Sequence, residues 1–206
     1  MLAQGRKSKG EREKIKHAKT RTGKNDQSQS RLKNIRLVET IESLNDMHIW
    51  TMNNWEAFLQ NNISRRTGIR FRYNKTVPPD VKQSYTRFAN WLRAQYYFPL
   101  RVVVYVKGEK TIRAKDGENV VGTFFEPYSP MDEPYIRIAT GDYDEMARAL
   151  GKDNALASIL LSLAHELTHY YQWINNIQLT PIGRERQATI YANYIVDEYA
   201  LTREHP

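Results

Sequence analysis

A helix that must be covered on two sides stands at the centre of its domain, and residues 154–174 read as such a helix. Stepping about 100° per residue from Leu156, the side chains of Ile159, Leu160, Leu163, Leu167, Tyr170 and Ile174 all fall within about 60° of it. That stripe is a core face. His165 and His169 fall near 180° and 220°, in line with the small residues Ser158 and Ser162, where a second element can approach closely. Two adjacent imidazoles covered in this way each need a hydrogen-bond partner. A shared ligand is the simpler account.

The two histidines belong to His165-Glu166-Leu167-Thr168-His169, which fits the pattern HExxH. Residues four apart lie one above the other on a helix, so both rings can reach one ion. The chain has no cysteine, so any metal must be held by His, Asp or Glu. Neutral imidazole is a good ligand for Zn2+, and Glu166 projects beside such an ion, where it can act as a general base towards water.

A catalytic zinc site takes three protein ligands and leaves one position open. Gln172 and Asn175 stand where a metzincin continuation needs Gly and His, so that class is excluded. The acidic residues downstream are Glu185, Asp197 and Glu198. A second helix is predicted over 181–203. If it runs antiparallel to the first, His169 and Glu185 lie at similar heights, about 6–7 Å from the connecting loop, while Asp197 and Glu198 lie about 18 Å beyond Glu185. Ala188, Thr189, Ala192 and Val196 share the face of Glu185, and their small size lets the two helix axes come close. The metal ligands are therefore expected to be His165, His169 and Glu185, with Glu166 catalytic.

The rest of the chain is uneven. Residues 1–36 hold twelve Lys or Arg against Glu11, Glu13 and Asp26, a balance of +9, which leaves the other 170 residues at −1 of the chain's +8. So few apolar residues cannot offset the entropy of ordering this segment. It is expected to be a disordered basic tail, able to make weak, salt-sensitive contact with nucleic acid. Residues 37–79 are read as an N-terminal helical region, with a helix over 38–61 interrupted near Asn53 and Asn54 and a short strand at Ile69–Tyr73. Residues 80–206 are read as one α+β domain. It opens with a helix carrying Tyr85, Phe88, Ala89 and Leu92 on one face and stopped by Pro99. Strands at 101–106, 119–125 and 135–139 are expected to pair as a small antiparallel meander, because short connections do not allow a parallel crossover. A short helix over 143–150 ends at Gly151. His48, amid Met47, Ile49 and Trp50, reads as a packed histidine, and His17 belongs to the tail.

HExxH on one helix with a Glu on the next is similar to the gluzincin arrangement. More narrowly, Glu185-Arg186-Gln187-Ala188-Thr189-Ile190-Tyr191-Ala192 resembles the E-x-x-A-N-x-F-A segment of the ImmA/IrrE family of compact metallopeptidases, with Thr189 in place of the Asn. The resemblance covers residues 80–203. It implies a zincin-like domain and a zinc metalloendopeptidase acting on a protein substrate. Members of that family are found in mobile elements and stress regulation and act on repressor-type regulators. An extended substrate is expected to lie along an edge of the sheet, with Tyr135–Ala139 the preferred strand. Tyr170, Tyr171, Tyr191 and Tyr194 lie near the motifs, and the sequence does not choose among them for an oxyanion partner. The competing reading is a nucleic-acid-associated binding or regulatory protein whose metal site is structural or inactive. No stretch reaches the roughly 20 apolar residues of a membrane span, and no apolar segment follows the basic start, so a cytoplasmic protein is expected.

Overall fold

A computed structural model of the chain describes residues 48–59, 66–128 and 132–202. The basic tail with His17, the first part of the 38–61 helix and His205 lie outside them. The main compact unit runs from Ile49 to Pro206. It opens well before residue 80, because the strand at Ile69–Tyr73 belongs to its sheet.

The elements follow in order: α1 (Trp55–Phe58), β1 (Ile69–Tyr73), α2 (Pro79–Gln95), β2 (Val102–Lys107), β3 (Ile112–Arg113), β4 (Asn119–Val120), β5 (Gly122–Phe125), β6 (Tyr135–Ala139), α3 (Tyr143–Leu150), α4 (Lys152–Ile174) and α5 (Pro181–Leu201). This is a mixed α and β architecture. Pro79 starts α2, where a missing N–H leaves no hydrogen bond unmade. Val81, Tyr85, Phe88, Ala89 and Leu92 then form its buried face, as the period requires.

The main sheet has the order β1-β2-β6-β5. Only β5 and β6 are antiparallel, while β1–β2 and β2–β6 are parallel. The expected antiparallel meander is thus corrected. Two of the three neighbouring pairs are not joined by short turns: α2 carries the chain from β1 back to β2, and the whole stretch 108–134 lies between β2 and β6. Connections of a dozen or more residues allow parallel crossovers. The expected strand over 119–125 divides at Val121, with β4 pairing β3 in a separate two-stranded sheet and β5 joining the edge of the main one. Tyr135–Ala139, expected at an edge, is interior between β2 and β5.

Alternation sorts the two faces of the sheet. Val102, Val104, Val106, Ile136 and Ile138 are fully buried and meet α2 and α4 in the core. Arg70, Arg72, Tyr105 and Tyr135, one residue out of phase, are exposed. Helix α4 runs between this core and α5, with Ile159, Leu160, Leu163, Leu167, Tyr170 and Ile174 all buried. No described helix is long and apolar enough to cross a membrane.

Candidate metal centre

Helix α4 starts from Gly151, whose φ of 85° suits a residue without a side chain and lets the chain turn sharply out of α3. After residues 175–180, Thr180 caps α5 by accepting the Gly183 N–H at 3.1 Å, and Pro181 takes the first helical position. Ala188 and Ala192, both buried, lie between α5 and the core. Glu185 is thereby held over α4.

His165 Nε2 lies 3.2 Å from Glu185 Oε2, His169 Nε2 lies 3.4 Å from Glu185 Oε1, and the two Nε2 atoms are 3.2 Å apart. Donors bound to one tetrahedral ion at about 2.0–2.1 Å stand about 3.3–3.4 Å from one another. The separation of the two Nε2 atoms is close to that edge length, and each imidazole has one Glu185 carboxylate oxygen at a similar distance, so the three side chains converge on one point. The set of two imidazole nitrogens and a carboxylate oxygen is also one that zinc accepts. This group could hold a metal ion and is the only such group of His, Cys, Asp or Glu side chains among the described residues.

Asp197 is exposed on α5, and Glu198 accepts hydrogen bonds from Tyr96 (2.6 Å) and Tyr194 (3.0 Å), so neither belongs to the group. His48 is buried and is not a member of it. Tyr170 bonds the Leu100 carbonyl at 2.7 Å, Tyr171 the Tyr97 carbonyl at 3.0 Å, and Tyr194 bonds Glu198. Neither these three tyrosines nor Tyr191 lines the cleft at the metal group.

Three contributors escaped sequence reasoning. Gln172, almost wholly buried, gives its amide N–H groups to Arg184 O and Gln187 Oε1, both at 3.0 Å. Its Oε1 is left facing His169 Nδ1 at 2.8 Å, so that nitrogen donates and Nε2 keeps its lone pair. Burial lowers the pKa of His169, which favours the neutral ring a metal needs. The spacing of three on one helix was the available signal for this pair. Gly122 of β5 is the second: a Cβ there would stand 2.9 Å from Glu166 Oε1, so glycine lets the strand lie over that carboxyl without pushing it aside. Arg184 is the third, a cation on the cleft wall held 3.4 Å from Glu126. Neither Gly122 nor Arg184 had a local sequence signal.

Glu166 is 8 % exposed and lines the same cleft as the two histidines and Glu185. Burial, seconded by the Glu185 charge and offset by the backbone of Phe124, raises its pKa to about 8. Strand β5 forms the opposite wall, and one of its edges has no partner strand among the described residues. No known protein family matches the chain, and no curated protein or solved structure is significantly similar to it.

Proposed function

We propose that the chain is a zinc-dependent metallopeptidase that hydrolyses peptide bonds of a protein substrate. The observation that carries this reading is a buried Glu166 in one cleft with His165, His169 and Glu185. A purely structural metal site has no use for a carboxyl group beside it, shielded from water and open to the same cavity. A zinc ion held by those three residues supplies Lewis acidity to a carbonyl oxygen and makes water more acidic.

The chain's own groups do the rest. His169 is kept in one tautomer by Gln172. Glu166 takes a proton from the attacking water as the water oxygen bonds to the carbonyl carbon, and returns it to the nitrogen, after which the peptide C–N bond breaks and the amine leaves. The free edge of β5 can pair with an extended substrate and bring a scissile carbonyl to the cleft, replacing the expected role of Tyr135–Ala139. The likeness of residues 185–192 to the ImmA/IrrE segment supports a repressor-type regulator of a mobile element or stress response as the substrate.

Glu166→Gln tests the reading. The variant is expected to keep one equivalent of zinc and to lose about a hundredfold or more of the cleavage rate on a peptide library profiled by mass spectrometry. Equal cleavage by parent and variant would remove Glu166 as the base.

A further inference from the structure

The sheet face turned away from the helices has a composition that the metal centre does not explain. The four strands of the main sheet contain no acidic residue. Their four cations, Arg70, Arg72, Lys107 and Arg137, all stand on the outer face. Register aligns Arg70, Val103, Tyr135 and Phe125 in one row across the sheet, and Arg72, Tyr105, Arg137 and Thr123 in the next. Tyr135 stacks on Phe125 with ring centroids 4.5 Å apart and meets Tyr105 edge-on at 6.0 Å. The Arg137 guanidinium lies 5.8 Å from the Phe125 ring. Tyr105 and Tyr135 remain 36 % and 37 % exposed, and with Lys107 and Arg137 they line a shallow depression. None of the four cations has an ion pair among the described residues.

A solvent-facing sheet ordinarily settles its charges by opposite-sign pairs across strands. Here cations alternate with flat rings and no carboxylate neutralises them. The fitting partner carries a repeating negative charge and exposed flat apolar faces. An acidic polypeptide offers the charge but flat rings only where aromatic residues happen to fall, and a duplex hides its bases in the stack. The chain's own residues 1–36, at +9, carry the wrong sign of charge to match this face. A single strand of nucleic acid meets both demands, with phosphates on Arg and Lys and bases stacked on aromatic rings.

We infer that this face of the sheet is a docking surface for single-stranded nucleic acid. Tyr105 and Tyr135 form the stacking platform, and Arg70, Arg72, Lys107 and Arg137 contact phosphates. The surface is independent of the metal centre.

The test is fluorescence anisotropy of the full chain with a labelled oligothymidylate of about ten nucleotides, within the range one such platform covers, beside a duplex of equal length and heparin. The N-terminal segment, at +9, attracts any polyanion by charge alone, so the readout is preference rather than affinity. The parent is expected to favour the single strand by roughly fivefold or more, the effect of one stacked base. The double variant Tyr105→Leu/Tyr135→Leu keeps apolar bulk against Phe125 and so keeps the sheet. It is expected to lose that preference while retaining salt-sensitive binding and its zinc content. Arg70→Ser/Arg72→Ser, on exposed positions, is expected to flatten the salt dependence. Duplex or heparin bound as tightly as the single strand by the parent, or an undiminished preference in the double leucine variant, would overturn the inference.

Discussion

His169 and Gln172 share a 2.8 Å hydrogen bond between Nδ1 and Oε1, and it decides which imidazole nitrogen faces Glu185. The Gln172 amide cannot turn over without losing both of its own acceptors, Arg184 O and Gln187 Oε1. Gln172→Leu keeps the volume and removes the acceptor. Metal affinity, measured by competition with a chelating dye, should fall about 10–100-fold. An unchanged affinity would show that the ring is oriented by packing alone.

Among the described residues, Glu185 is the sole carboxylate grouped with both histidines. Glu185→Ala should come off gel filtration without stoichiometric zinc, whereas Asp197→Ala retains it. Glu198→Ala also retains it and instead loses about 1–3 kcal/mol of stability, since Tyr96 and Tyr194 each forfeit an acceptor. Metal content and urea midpoints of the three variants separate these effects.

In the protein stripped of metal, the contribution of Glu166 to stability should fall as pH rises. Glu166 has its carboxyl pushed up to about 8 in the fold, against about 4.3–4.5 in an unfolded chain. Between those values the native state holds a proton that the unfolded state has released, so the unfolding free energy falls with increasing pH. Glu166→Gln carries no such proton. Chelator-treated parent should lose more stability than the variant between pH 5 and pH 8.5, and parallel urea midpoints across that range would contradict the assignment.

Gly122→Ala places a methyl group 2.9 Å from Glu166 Oε1 and 3.1 Å from Ile138 Cδ1. Ile138 is fully buried, so the Glu166 carboxyl is the neighbour that shifts, and it shifts into the cleft it lines. Displacement of a reacting group by about 1 Å can cost roughly a hundredfold in rate. The variant should therefore bind zinc normally and cleave at least about tenfold more slowly. Equal rates would place the carboxyl outside the reaction.

Much of α4 was legible because its information is local. A period of 3.6 residues sorts Leu163 and Leu167 from His165 and His169 within a few turns, and the backbone then leaves no choice of face. Glu185 was reachable too, since a short connection between helices limits where a second helix can lie. The sheet was not legible in this way. Whether Val103 pairs with Tyr135 in parallel or β5 takes that place depends on how residues 108–134 fold between them, and no local period records it.

What the chain determined by its residues alone was a core stripe, a pair of imidazoles one turn apart and a carboxylate on the next helix. Only the tertiary structure decided that Gly122, 44 positions before Glu166, closes over it, that β5 rather than β6 holds the free edge, and that four cations share one face. Helical geometry is set by neighbours along the chain, whereas strand order and close approach are set by segments that meet only once loops have closed and apolar surface has been buried.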